Sequence, residues 1–111
     1  MDELLKQALL YDFYGELLTD HQKEIYEQFI LEDLSLGEIA RDAGISRQGV
    51  HDLVKRCDRT LQEYEEKLHL VSRFLTVKEQ IHKIREILDQ EPAEDISVLK
   101  SEIRKISDEI L

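Results

Sequence analysis

The most constraining feature of the sequence is a pair of helix starts eleven residues apart, with a glycine, Gly44, two residues before the second. Ser35 is followed three residues later by Glu38, the pattern of a capping box, and Ser46 can cap a second helix. Gly44 stands where a short helix would end in a left-handed residue. The pattern predicts a helix over about 36–42, a tight bend, and a second helix that begins directly after Ser46.

Apolar residues around this bend have the spacing of a helix-turn-helix, in which two helices meet at a steep angle through a short turn. A small residue, Ala40, would let the second helix approach closely, and Gly44 would permit the turn. The residues that would lock the two helices together are Ile39, Ile45, Val50 and Leu53. We therefore predict a helix-turn-helix at about 35–56, with an ordinary glycine-capped helical hairpin as the alternative.

The rest of the chain also has helical patterning, so the predicted fold class is all-α. A first helix is expected over 3–18 and a second over 20–32, where Thr19 and Gln22 form another capping box. Aromatic residues of these two helices are expected in the core: Tyr11, Phe13, Tyr14, Tyr26 and Phe29.

Beyond Gly49 the chain has no glycine or proline until Pro92, and its apolar residues alternate spacings of three and four. Such a heptad-like seam is typical of a helix packed against other helices. The seam comprises Val50, Val54, Cys57, Leu61, Tyr64, Leu68, Val71 and Leu75. A capping pattern at Thr76 leaves open whether 46–90 is one helix or two with a break near 70–76.

A linker is expected at 90–93, followed by a last helix that Asp95 would cap. Hydrophobic residues make up 41% of the chain, which is enough for a core. We expect a helical domain over 1–68 and a helical extension over 69–111.

The net charge of −10 argues against indiscriminate binding to polyanions, but the charge is unevenly distributed. Residues 1–33 carry nine acidic and two basic side chains, and residues 62–111 carry twelve and eight. Residues 34–61 carry four acidic and five basic side chains. The predicted helix-turn-helix is thus the one segment of the three without a net negative charge.

Localisation is expected to be cytoplasmic. The single cysteine, Cys57, cannot form a disulfide within the chain, and no apolar run approaches the ~20 residues that a membrane span needs. The acidic start of the chain is also unlike a secretion signal. We expect no contact with a membrane.

The second helix of a helix-turn-helix presents its first residues to base edges. Arginine and glutamine suit bidentate contacts with guanine and adenine, and Lys55, Arg56 and Arg59 would face phosphates. The predicted nucleic-acid-binding residues are Ser46, Arg47, Gln48, His51, Lys55, Arg56 and Arg59. The alternative is that these are ordinary solvated residues of a surface helix.

No constellation of catalytic residues or phosphate-binding glycine loop is present, so we predict no enzyme activity and no cofactor. His51, Cys57 and Asp58 are spaced so that they would not converge on a metal, and no metal site is predicted. Cys57 is instead expected in the core. An acidic run is expected on a solvated face: Glu63, Glu65 and Glu66.

Residues 18–22 (Leu-Thr-Asp-His-Gln), 34–40 (Leu-Ser-Leu-Gly-Glu-Ile-Ala) and 44–50 (Gly-Ile-Ser-Arg-Gln-Gly-Val) resemble region 4 of bacterial sigma factors. The segments 9–15 and 65–68 make the chain more specifically similar to the YlxM family, small bacterial proteins encoded beside signal recognition particle genes. The residues after the predicted linker resemble the family less.

The resemblance, which covers about 1–90, implies a sigma-70 region 4-like helix-turn-helix domain with a C-terminal helical extension. It also implies a role in the signal recognition particle pathway, with components of that particle as partners. Sigma region 4 uses the start of its second motif helix on promoter DNA. The matching positions here are Ser46, Arg47, Gln48 and His51.

Two functions remain open. The chain could be a regulator that binds DNA or RNA through 46–59, or an adaptor whose acidic first two helices dock on a basic protein. A continuous basic stripe across Arg47, Lys55, Arg56 and Arg59 would favour nucleic acid. A stripe interrupted by acidic neighbours would favour the adaptor.

A homodimer is also predicted. The apolar seam from Val50 to Leu75, together with the apolar residues over 81–88, exceeds what a monomer of this size commonly exposes. The alternative is an intramolecular hairpin, in which the last helix covers the seam.

Overall fold

The computed structural model describes residues 2–89 and 96–110, and every regular element in those ranges is helical. The α-helices are α1 (Glu3–Tyr14), α2 (Asp20–Ile30), α3 (Leu36–Ala43), α4 (Arg47–Leu68), α5 (Leu70–Leu88) and α6 (Ile96–Ile110). The all-α prediction is confirmed for these residues. The predicted linker at 90–93 and the predicted cap at Asp95 lie outside the described residues.

The chain forms two compact units, residues 1–71 and residues 72–111. The first unit contains α1 to α4 and the first residues of α5. The second unit contains the remainder of α5 and α6.

Three helices of the first unit begin at the predicted side-chain caps. Thr19 and Ser35 each accept a hydrogen bond from the backbone amide three residues on, at 3.2 and 3.1 Å, in complete capping boxes. Ser46 Oγ accepts from the backbone N–H of Gly49 at 2.9 Å. These bonds satisfy amides that a helix start leaves without a partner.

The bend between α3 and α4 is built on a glycine. Gly44 has φ of +70°, in the left-handed region that strains other residues, and the Ile45 N–H donates to the Ala40 carbonyl at 3.1 Å. Ala40 and Val50 are both buried, so α3 and α4 pack closely on either side of the bend. The predicted pair of capped helices is therefore present.

Helix α4 is the element on which the first unit packs, because α1, α2 and α3 all contact it. Its inward residues are at most 4% exposed: Val50, Val54, Cys57 and Leu61. The other helices supply fully buried partners: Tyr14, Ile25, Tyr26 and Ile39. The first half of the heptad-like seam is thus covered within one chain, and the expectation that it offers a dimer surface is wrong.

Three tyrosine hydroxyls donate to carboxylates and connect α1, α2 and α4. The pairs are Tyr11–Glu27 between α1 and α2, Tyr14–Glu65 between α1 and α4, and Tyr26–Asp58 between α2 and α4. Burial, followed by the hydrogen bond to the carboxylate, raises the pKa of each tyrosine. Hydrogen bonds to charged acceptors are stronger than neutral ones, so these pairs fix the mutual positions of the three helices.

The Tyr14–Glu65 pair also accepts backbone hydrogen bonds at the junction of α4 and α5. Helix α4 ends at Leu68 and is followed by His69, which has φ of +57°, and the next two amides find acceptors in the first unit. The Leu70 N–H donates to the Tyr14 hydroxyl at 3.1 Å, and the Val71 N–H donates to Glu65 at 3.0 Å. The prediction that Glu65 is simply solvated is therefore wrong, because its carboxylate receives both a hydroxyl and a backbone amide.

Three further boundaries and placements differ from expectation. The first helix ends at Tyr14 and is followed by a 3-10 turn (Gly15–Leu17), after which an extended Leu18 leads into the Thr19 cap of α2. The break after α4 falls at 69 rather than within 70–76, and Thr76 Oγ1 bonds the carbonyl four residues back instead of capping a helix. Phe13 is 38% exposed because it lies off the buried stripe of α1.

Within the second unit, Ile106 of α6 and Gln80 of α5 are buried, and Gln80 Nε2 donates to Glu109 at 3.2 Å. Other apolar residues of α5 are exposed, with Ile81 at 46% and Leu88 at 66%.

Opposite substitutions at Gly44 and His69, the left-handed residues that end α3 and α4, test the roles of these helix ends. We expect Gly44→Ala to lower the free energy of unfolding by about 1–2 kcal/mol, because a Cβ is strained there. His69→Gly is expected to raise it by up to about 1 kcal/mol, because it removes the same strain. Urea denaturation of both variants measures the two shifts. Shifts of the same sign would contradict the account.

The tyrosine–carboxylate pairs predict sensitivity to alkaline pH. Because the pKa values in the folded protein lie above the ordinary value of about 10, this contribution to stability is complete below pH ~10 and is lost as the pH rises further. We expect the free energy of unfolding to fall with pH in that range, and to fall less steeply in Tyr11→Phe. Urea unfolding at a series of pH values measures the slope, with Tyr64→Phe, outside the three pairs, as control. An unchanged slope in Tyr11→Phe would contradict the prediction.

Candidate nucleic-acid interface

The start of α4 presents a small group of polar side chains to solvent. Because Val50 and Val54 point into the core, helical geometry turns Arg47, Gln48 and His51 outward, and all three are exposed. Ser46 precedes them as the exposed cap. The residues that the sequence predicted as base-reading positions thus lie together on one surface.

A shallow concave surface of about 420 Å³ lies between this group and the start of α3. It is lined by Arg47, Gln48, His51 and Leu36. Leu36, the first residue of α3, was not among the predicted site residues. No local sequence signal pointed to Leu36, because only the packing of α3 on α4 brings it beside Arg47 and His51.

An acidic side chain interrupts this surface. Asp52 Oδ1 accepts a hydrogen bond from Gln48 Nε2 at 2.9 Å and lies 3.4 Å from His51 Nδ1. The hydrogen bond from Gln48, followed by that from His51, lowers the pKa of the Asp52 carboxyl. The Gln48 amide is therefore already bound to a carboxylate within the fold.

The three predicted phosphate-facing residues separate into two groups. Lys55 and Arg59 line a second concave surface, which α4 forms with α1. Arg56 follows Lys55 by one residue and so lies about 100° farther round the helix, on the side where its charge acts on Asp52. The basic residues of α4 do not form one continuous stripe.

Lys6 of α1 lines the same surface as Lys55 and Arg59 and was missed by the sequence analysis. It is one of two basic residues in the strongly acidic segment 1–33. That isolation was the available signal, but only the packing of α1 on α4 brings Lys6 to the site.

The described residues 2–89 and 96–110 contain no group of three side chains arranged to hold a metal ion. Cys57 is fully buried while His51 is exposed, so the two point to different surroundings. Burial, together with the nearby Asp58, raises the pKa of the Cys57 thiol to about 11. Cys57 is a core residue, as predicted.

Within the described ranges, none of the helices is both long enough and apolar enough to cross a membrane.

Comparison with known proteins gives one consistent result. Residues 1–103 match the model of a family described as "UPF0122: Putative helix-turn-helix protein, YlxM / p13 like". A UPF0122 protein of Thermoanaerobacter sp. strain X514 is 46% identical over 98% of this chain and 94% of its own length. The UPF0122 protein YlxM of Bacillus subtilis is 37% identical over 96% of this chain and 97% of its own. A relative from Caldanaerobacter subterraneus is 52% identical over 78% of this chain and 74% of its own.

Proposed function

We propose that this chain, which belongs to the YlxM / p13-like helix-turn-helix family, binds nucleic acid through the first two turns of α4. The observation that carries the proposal is the complete burial of the inward face of α4, which leaves Arg47, Gln48 and His51 exposed beside a capped helix start. A helix presented in this way can enter a major groove with its first residues against base edges.

The side chains of this surface have distinct roles in the proposal. Arg47 can donate two hydrogen bonds to guanine, and Gln48 can pair with adenine once its amide leaves Asp52. The Ser46 hydroxyl can contact a phosphate at the helix start. Because Gln48 must exchange one acceptor for another, its contribution depends on how well a base replaces the Asp52 carboxylate.

The biological role that we propose is regulation of, or assistance to, the signal recognition particle pathway. It rests on the resemblance to the YlxM family and not on geometry. We also propose that two copies act together, since a dimer would present two reading helices to two half-sites. The first part of the heptad-like seam is buried, so the exposed residues Ile81 and Leu88 of α5 are the support for this dimer.

Substitution of the reading residues tests nucleic-acid binding. We expect the double variant Arg47→Ala/Gln48→Ala to bind a selected DNA or particle RNA at least about tenfold more weakly, because each bidentate base contact contributes ~1–3 kcal/mol. Fluorescence anisotropy at low salt measures the affinity and shows whether two copies bind per site. Arg104→Ala, which removes the same charge from an exposed position of α6, is the control. Unchanged binding in the double variant, or no binding by the wild type at low salt, would exclude the proposal.

An adaptor function is the second candidate, and two observations favour it. Asp52 interrupts the basic residues of α4, which is the arrangement expected of an adaptor. A concave surface of about 240 Å³ between α2 and α3 is lined by Glu24, Asp42 and Gln28, and the Gln28 Oε1 is buried without a hydrogen-bond partner. A lysine or arginine of a basic protein would supply a charge opposite to those of Glu24 and Asp42 and a donor close to Gln28.

Neutralising this acidic surface tests the adaptor. We expect Glu24→Gln/Asp42→Asn to slow association with the protein subunit of the signal recognition particle several-fold, because opposite charge chiefly raises the association rate. Surface plasmon resonance measures that rate. Asp12→Asn/Glu63→Gln, the same charge change at exposed positions outside this surface, is the control. Glu27 is left intact because it accepts the Tyr11 hydroxyl within the fold. Equal rates for both double variants would argue against the adaptor.

A further inference from the structure

We infer that the groove between α1 and α4 binds a phosphodiester of the nucleic acid whose bases α4 reads, with Lys6 as a contact supplied by α1. The inference rests on the proposed function and extends the interface to a helix outside the helix-turn-helix. The proposed ligand of the groove is the sugar–phosphate backbone.

The groove has a volume of about 400 Å³ and is walled by residues of both helices. Lys6 from α1 and Lys55 and Arg59 from α4 are its three cations, and all are exposed. Leu10 lies beneath them at 5% exposure, so the floor is closed by the core. Three donors around a concave surface suit an anion with several oxygen acceptors.

Hydrogen bonds to an acidic side chain of the groove explain why the three cations can still bind a phosphate. Asp58 lines the same groove, but its carboxylate already accepts the Tyr26 hydroxyl and lies 3.0 and 3.2 Å from Gln7 Nε2. Among the described residues, no ion pair includes Lys6, Lys55 or Arg59. Glu3 is the second acid of the groove, so the three cations outnumber the acids even before the bonds to Asp58 are considered.

The groove also lies on the same side of α4 as the proposed base-reading residue Gln48. Lys55 follows Gln48 by seven residues, nearly two helical turns, so both lie on the same side of α4 about 10 Å apart along its axis. Arg59 lies one turn farther along. The sugar–phosphate backbone borders the major groove, so a duplex read by the start of α4 would carry a phosphate past these residues. Arg56, turned about 100° away from Lys55, is outside this path.

Charge substitutions at matched positions test the inference. We expect Lys6→Gln to weaken binding by up to about tenfold at ~0.1 M salt and to reduce the slope of log affinity against log salt by about 0.9, because one phosphate contact is lost. Preference among base sequences should not change. Lys6→Arg should keep the wild-type slope. Lys67→Gln, the same charge change on α4 outside the groove, is the control.

The outcomes separate this inference from the proposed function. If Lys6→Gln matches Lys67→Gln while Arg47→Ala/Gln48→Ala still loses binding, the groove inference is wrong and the reading surface stands. If Lys6→Gln alters self-association in sedimentation but not the salt slope, the groove binds an acidic protein segment and the inference is likewise overturned. If the wild-type protein binds no nucleic acid at the lowest salt, both proposals fail.

Discussion

Burial of one apolar stripe of α4 determines how the first unit is arranged and which surface it presents. Val50, Val54, Cys57 and Leu61 occupy successive turns of that stripe, and α1, α2 and α3 all pack on it. Burying such side chains is worth roughly 1.5–3 kcal/mol each, so the stripe cannot rotate outward without losing the core. With the inward face fixed in this way, helical geometry sets the direction of the remaining residues of α4 and turns Arg47, Gln48 and His51 to solvent.

Features encoded by neighbouring residues were predictable from the sequence. The caps at Ser35 and Ser46 and the bend at Gly44 depend on side chains within four residues of each other, and they form as expected. The first half of the heptad-like seam was wrongly assigned to a dimer surface, because a 3–4 spacing reveals that a face is buried but not what covers it. Glu65 was misjudged for a related reason, since its partners, Tyr14 and Val71, are brought to it only by the packing of α1 and by the turn at 69.

In the candidate site, too, the features set by local sequence were predictable and those that depend on packing were not. The grouping of Arg47, Gln48 and His51 follows from helical periodicity once the inward face is known. The same periodicity separates Arg56 from Lys55, although the prediction placed both against phosphates. The contribution of Lys6 depends on the contact between α1 and α4, which no local pattern encodes.

An acidic chain can still bind a polyanionic ligand if its acidic side chains are unevenly distributed over the surface. Acidic side chains repel a polyanion over roughly a Debye length, about 8–10 Å at physiological ionic strength. Three of the carboxylates in the first unit, Glu27, Glu65 and Asp58, accept tyrosine hydroxyls and so contribute to packing as well as to the surface potential. Lys55 and Arg59, which line the groove with Asp58, lie on the same side of α4 as Gln48. The remaining acidic surface would then disfavour approach from other directions, so repulsion would restrict the orientation in which a nucleic acid can bind.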